Sequence, residues 1–218
     1  MGHKSEPELR REVVEAVARL EAIGFNHGST GNVSCRAGAR VLITPAGANA
    51  ANLTPEKLVV VDLDGRVEGT GIPSSEWQMH TEILKAKVAA QAVVHTHADA
   101  CVALSCLREP LPAFHYMIAG FGGNEVPCAR YEAFGSKALA QAAVEALRGC
   151  SACLLANHGM ITFAASIGQA VSQTIKLETL VRQYLMARQV GTPILLGEAE
   201  METVRERYRH YGTSLMPR

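Results

Sequence analysis

Three histidines carry the chemistry that reads most directly from this 218-residue chain. His95 and His97 stand two apart in Ala92-Val-Val-His-Thr-His97. A strand points alternate side chains to one face, so the two imidazoles converge without special geometry. On a helix the same pair would diverge by about 200°, and the preceding valines favour strand. His158 supplies a third nitrogen: it follows the apolar Leu154-Leu155-Ala156 and precedes Gly159, which suits a strand end where the backbone turns tightly. Three neutral imidazoles with an open fourth position form a catalytic zinc pattern, whereas structural zinc usually has four closed ligands, mostly Cys. Zn2+ is the expected ion, and Mn2+, Co2+ or Fe2+ can occupy the same nitrogens. His80, four residues after Glu76 on the same helical face, offers a competing Glu/His pair, for which a packing or supporting role is preferred. His27 and His115 are candidates for substrate contact, while His3 and His210 read as solvated.

A second set of residues suits an anion. Gly28-Ser-Thr-Gly-Asn-Val-Ser34 is rich in small residues whose backbone N–H groups can surround one. Gly47, in Thr44-Pro-Ala-Gly47, and the hydroxyls of Ser74 and Ser75 at a helix N-terminus add donors, aided by the helix dipole. No Walker lysine accompanies them, so a single phosphate monoester suits this set better than a nucleoside triphosphate. Acidic and basic residues balance at 21 each, without the surplus of Lys and Arg that nucleic-acid phosphates require. The N-terminal residues contain no apolar h-region, and no apolar run approaches the roughly 20 residues that span a bilayer. A cytoplasmic protein with neither nucleic acid nor membrane as partner is expected. Six cysteines in mostly apolar surroundings read as reduced thiols, and Cys150-x-x-Cys153, with no second pair nearby, reads as structural.

The elements that must position these groups follow from periodicity. Ser5 to Glu8 spells a capping box, and Leu9, Val13, Val14, Val17 and Leu20 recur at helical spacing, predicting a helix from Pro7 to Ile23. Short β-rich pieces at 33–36, 41–44 and 58–63, separated by turn residues such as Asp64-Gly65, predict antiparallel strands. Ser74 and Ser75 are expected to cap a helix over 76–89, followed by a buried strand at 92–96 and a helix starting near Asp99. Residues 134–147 read as helix, 152–156 as strand, 160–163 as its continuation after a turn, and 167–189 and 200–211 as helices. No repeat or linker interrupts the chain. The expectation is one α/β domain over residues 1–218, an α/β/α sandwich whose central sheet is mainly antiparallel.

Gly31-Asn-Val-Ser34, Ile43-Thr-Pro45, Pro73-Ser-Ser-Glu76, Val94-His-Thr-His97 and Asn157-His-Gly159 together resemble the class II aldolase/adducin family, over essentially the whole chain. Within it, His115-Tyr-Met-Ile-Ala119, Gly122-Gly-Asn124, Val126-Pro-Cys128 and Phe134-Gly135 resemble the L-fuculose-1-phosphate aldolase branch. The resemblance implies zinc on His95, His97 and His158, with Glu76 both a resting-state metal ligand and the catalytic acid/base. It implies a substrate phosphate held by Gly31, Asn32, Ala46, Gly47, Ser74 and Ser75. A homotetramer with active sites at subunit boundaries is implied as well, with Tyr116, Phe134 and Tyr211 on the aldehyde side and Tyr116 a proton donor. Ala46 departs from the pattern, because the nearest relatives carry Thr there and its hydroxyl is lost.

The reaction so implied is reversible cleavage of a ketose 1-phosphate to dihydroxyacetone phosphate and a short aldehyde such as lactaldehyde. A metal acting as Lewis acid stabilises the enediolate, so no Schiff-base lysine is required, and Lys85 and Lys87 read as solvated helix residues. Competing readings are a phosphorylated-sugar dehydratase or decarboxylase, a pentulose-5-phosphate 4-epimerase, a non-catalytic adducin-like scaffold and an unrelated zinc hydrolase. Epimerase relatives carry Asp at the position of Glu76, which speaks against that reaction.

Overall fold

Strand alternation builds a sheet with two apolar faces, and amphipathic helices cover both. The computed structural model describes residues 4–210. In chain order the elements are α1 (Glu6–Ala22), β1 (Asn32–Ala37), β2 (Arg40–Ile43), β3 (Val59–Asp62), β4 (Val67–Glu68), α2 (Trp77–Ala86), β5 (Ala92–Thr96) and α3 (Asp99–Leu107). They continue as β6 (Cys128–Ala129), α4 (Lys137–Ala146), β7 (Ala152–Leu155), β8 (Gly159–Ala164), α5 (Ile167–Val190) and α6 (Glu198–His210). Short 3₁₀ turns occupy Pro55–Lys57 and Tyr116–Phe121.

The strands form one sheet in the order β4-β3-β2-β1-β5-β8-β7-β6. Every pairing is antiparallel except β6 with β7. Val33, Leu42, Val94 and Met160 point to a layer containing α1, α3, α5 and α6. Their neighbours Val41, Ile43, Val93 and Ile161 point to α2 and α4. This two-sided burial, with apolar area removed from water on each face, is the α/β/α sandwich expected from the alternating pattern. Among the described residues, no helix is long and apolar enough to cross a membrane.

The capping box forms as expected, with the Ser5 N–H donating to Glu8 Oε2 at 2.7 Å. Several boundaries differ from the sequence expectation. Helix α2 ends at Ala86 rather than near 89, because Ala90 is wholly buried and its carbonyl accepts from Arg36 Nε at 2.9 Å. Neither Ser74 nor Ser75 takes its N-cap position, which belongs to Glu76. Ser74 is drawn towards the sheet instead, its N–H donating to the Thr44 carbonyl at 3.0 Å. Helix α4 begins at Lys137, three residues later than expected, because Gly135 turns at φ +70° and Ser136 Oγ accepts from the Leu139 N–H as the true cap. Residues 160–163 belong to β8, a separate strand paired antiparallel with β7. The two-residue strands β4 and β6 were not expected; each is too short to show a period.

The cysteines form no disulfide. Cys153 is buried in β7, where burial pushes its thiol well up.

Candidate metal centre and adjoining cleft

The central strand β5 carries His95 on the face of Val93, and His97 follows just past the strand end. Opposite them, β7 turns into β8 through Ala156-Asn157-His158, where Asn157 has the left-handed φ of +53°. That turn approaches β5 closely: a Cβ on Gly159 would lie 2.5 Å from the Thr96 carbonyl oxygen, so only glycine lets the two strand ends meet. The consequence is a cluster in which one ligand nitrogen from each of His95, His97 and His158 lies within 4.8 Å of the others. The rings stand edge to face, with centroids 4.8–4.9 Å apart.

Glu76, at the start of α2 and 5% exposed, faces this cluster. Its Oε2 is 3.0 Å from His95 Nε2, and its Oε1 is 3.4 Å from His158 Nε2. The His95 Nδ1–H donates to the Met160 carbonyl at 2.8 Å, so Nε2 is the ring atom left with a lone pair when the imidazole is neutral. The Glu76 carboxylate oxygen and that lone pair, 3.0 Å apart, repel one another without a positive charge between them, and the His97 Nε2 lies 3.0 Å from the same His95 nitrogen. Protons can supply that charge, and so can a divalent cation. Glu76 Oε1 is buried with no hydrogen-bond partner among the described residues, as expected of an atom whose partner is an ion or a substrate proton. The donor set and this unsatisfied oxygen therefore fit a metal held by His95, His97, His158 and Glu76.

The electrostatics agree. Burial is the largest influence on Glu76 and pushes its carboxyl up, but the opposing charge and hydrogen bond of His95, then His158 and Asn32, hold it well below the ordinary carboxylate range. His95 is raised despite burial by the same carboxylate. Burial first, and then the positive charge of His95, lower His97 and His158 each to about 4, so both are neutral imidazoles near pH 7.

A cleft of about 440 Å³ opens over the cluster. Its walls include Gly31, Asn32, Ala46, Gly47, Ser74, Ser75, Glu76, Phe134, His97 and His158, so nearly every cleft residue expected from sequence is brought together. His95 lies behind them, fully buried. Tyr116 does not join the cleft: it is 51% exposed on the 3₁₀ turn and stacks on His115. His115 itself caps that turn, its Nδ1 accepting from the Met117 N–H at 3.2 Å. His27 pairs with Asp99 at 3.5 Å and is absent from the cleft walls. Tyr211 falls outside the described residues. Sequence reasoning missed Tyr131 and Glu132, which line the cleft from the loop before α4. Only their position two or three residues before Phe134 could have suggested them.

A more open cleft of about 610 Å³ shares Pro45, Ala46 and Gly47 with this one. Its basic groups are already engaged, Arg10 with Glu6 and the carbonyls of Pro55 and Leu58, and Lys57 with the Asn52 carbonyl. Among the described residues it holds no cluster of metal-ligating groups, whereas the histidine cluster opens into the smaller cleft.

Comparison with known proteins agrees with this geometry. Residues 11–185 match the family model described as Class II Aldolase and Adducin N-terminal domain. The chain is 42% identical to a 5-methylthioribulose-1-phosphate/5-deoxyribulose-1-phosphate aldolase of Rhodospirillum rubrum, over 94% of this chain and 92% of that protein. It is 37% identical to the L-fuculose phosphate aldolase of Escherichia coli (strain K12), over 94% of this chain and 95% of that one. A solved structure of an L-fuculose 1-phosphate aldolase superposes with a TM-score of 0.89 at 35% identity, covering 93% of this chain and 96% of the other. With the histidine cluster, the cleft and the sandwich all in place, the chain belongs to the class II aldolase and adducin family.

Proposed function

We propose that this protein is a zinc-dependent aldolase that reversibly cleaves a ketose 1-phosphate to dihydroxyacetone phosphate and a short aldehyde. The observation that carries the reading is the position of Glu76. It stands between His95 and His158, in a cleft whose far walls are the small-residue turns at Gly31–Asn32 and Ala46–Gly47 and the hydroxyls of Ser74 and Ser75.

In this reading His95, His97, His158 and Glu76 hold the ion, with Mn2+, Co2+ or Fe2+ as substitutes for Zn2+. When bound, the cation supplies Lewis acidity that stabilises the charge developing on the carbonyl oxygen of the substrate. The turns and the Ser74-Ser75 pair bind the phosphate, which orients the donor half remotely from the reacting carbon. In the cleavage direction the C4 hydroxyl passes its proton through the aldehyde-side Tyr116 to solvent, the C3–C4 bond breaks and leaves its electron pair on C3 and the adjoining carbonyl, the aldehyde departs, and C3 takes a proton that Glu76 has drawn from solvent. Glu76 delivers that last proton, and in the aldol direction it removes it. The two oxygens of Glu76 suit this division: Oε2 accepts from Asn32 Nδ2 at 3.2 Å, while Oε1 has no hydrogen bond and is free to carry a proton.

Phe134, 74% exposed at the cleft rim, serves the aldehyde side. Tyr116 is half exposed and away from the cleft of its own chain, which supports a homotetramer in which Tyr116 and Tyr211 complete a neighbouring subunit's site. The names of the two curated relatives support a phosphorylated deoxy or methylthio ketose as substrate. The test is to incubate zinc-loaded protein with L-fuculose 1-phosphate, 5-deoxyribulose 1-phosphate, L-rhamnulose 1-phosphate and 5-methylthioribulose 1-phosphate, following dihydroxyacetone phosphate with a coupled reductase. Release from at least one of them is expected; silence with all four rejects the reading.

A further inference from the structure

We propose that His80 is a positioning residue that locks the Asn32 carboxamide, so that this one amide joins the anion-binding end of the cleft to Glu76. The inference rests on the function proposed above for the cleft and goes beyond it, because His80 neither lines the cleft nor belongs to the metal cluster.

His80 is on the second turn of α2, four residues after Glu76, and is completely buried. A buried imidazole needs partners for both nitrogens. Its Nδ1 is 2.7 Å from Ser34 Oγ on β1, and its Nε2 contacts Asn32 Oδ1 two residues earlier on the same strand. Asn32 in turn donates from Nδ2 to Glu76 Oε2 at 3.2 Å. The bonding pattern assigns every proton. Glu76 Oε2 belongs to a carboxylate and can only accept, so the amide must present Nδ2 to it and Oδ1 to His80. Oδ1 can only accept, so His80 Nε2 carries the hydrogen. The neutral ring then has its lone pair on Nδ1, and the Ser34 hydroxyl donates to it. Burial first, and then the charge of His95, lower His80 to about 3, which keeps the ring in this neutral state.

The chain Ser34 to His80 to Asn32 to Glu76 therefore has a single direction. An amide held at one end by His80 cannot flip. Its second N–H remains available to the cleft, which Asn32 lines beside Gly31, Ser74 and Ser75. An anion in that part of the cleft and the Glu76 carboxylate are thus served by the same –NH2 group. Without His80, the amide can rotate and present its oxygen to both, which turns two attractions into repulsions.

A double-mutant cycle tests the coupling, with inorganic phosphate as the probe and calorimetry on zinc-loaded protein that is not turning over. The variants are His80→Leu, Asn32→Ala and the pair together, each checked for native circular dichroism. A bond to a charged group is worth enough to change binding about tenfold. His80→Leu is therefore expected to weaken phosphate about tenfold in the wild-type background and less than twofold in the Asn32→Ala background. His80→Gln retains a donor near the position of Nε2 and is expected to recover most of the loss, which also answers the case of a misfolded leucine variant.

Zinc affinity, measured by competition with a chromophoric chelator, reads the Glu76 end of the same chain and should follow the same pattern. If wild-type protein binds no phosphate, the anion reading of the cleft fails while the zinc cycle still decides the role of His80. Multiplicative effects in both cycles, or His80→Leu within twofold of wild type in both, overturn the proposal.

Discussion

Removal of Glu178 should loosen the segment that carries His97 and cost the protein about 3–5 kcal/mol, from two unsatisfied backbone donors and a small cavity. Glu178 lies on α5 and is 2% exposed. Its Oε1 accepts from the Ala100 N–H at 3.0 Å and its Oε2 from the Cys101 N–H at 2.9 Å. These are donors of the first turn of α3, which the helix cannot satisfy internally. Each bond contributes about 1.5–2 kcal/mol, the lower part of the range for a charged acceptor, and the positive end of the helix dipole adds about 0.3–1 kcal/mol. Arg182, 3.6 Å away with a 63% exposed side chain, adds little. His97 precedes this anchored turn by three residues, so its ring position depends on the anchor as well as on β5.

The assay is urea unfolding of metal-free protein at pH 7, in chelator so that metal linkage does not enter, alongside zinc affinity of the refolded samples. Glu178→Ala should lower unfolding free energy by about 3–5 kcal/mol and weaken zinc. Glu178→Gln, which offers one acceptor and turns an N–H against the second donor, should lose about 2–4 kcal/mol. A loss below about 0.5 kcal/mol in both variants would refute the anchoring argument, since ordinary surface substitutions do no more.

Three further outcomes follow from the geometry. Glu76→Gln should retain zinc on the three imidazoles, by metal analysis, while turnover falls by about two to four orders of magnitude, the usual worth of a positioned acid/base; near-normal dihydroxyacetone phosphate release would rule out its proton role. The buried His80, at about 3 folded against the ordinary 6.5 when unfolded, resists protonation that the unfolded chain accepts. Its contribution is therefore neutral above pH 6.5 and increasingly destabilising as pH falls towards 3, reaching about 2 kcal/mol at pH 5. Urea titrations at pH 7 and pH 5 should show His80→Gln losing about 2 kcal/mol less than wild type over that interval, and equal losses would contradict the assignment. Finally, Gly159→Ala sets a Cβ at 2.5 Å from a backbone oxygen that cannot swing aside, so the strand ends must part. A stability loss of about 1–3 kcal/mol together with weaker zinc binding is expected, and an unchanged zinc affinity would show that the close approach is not needed to gather the ligands.

Local physics is legible in the order of the residues. The valines before His95 favour strand, strand period puts His95 and His97 on one side, and β5 is indeed a strand with both rings in the cluster. The apolar run before His158, with Gly159 after it, marks a strand end and a tight turn, and β7 and β8 meet there. Alternation also foretells a sheet buried on two faces. Boundaries are less legible where a distant partner intervenes, as when Thr44 draws Ser74 towards the sheet and leaves Glu76 to begin α2.

The remaining features arise from contacts between residues far apart in the chain, and no local period records them. His80 meets Asn32 across 48 positions because α2 packs on the sheet face above β1. Glu178 reaches the start of α3 across 78 positions because α3 and α5 share the opposite layer. Tyr131 and Glu132 become cleft walls only because the Gly135 turn rests against the Ser75 carbonyl, 2.9 Å from where a Cβ would stand. Spacing and residue type specify which side chains a strand or helix can present together. Which elements become neighbours depends on how all the apolar faces are buried at once, a sum over the whole chain that appears only when it is folded.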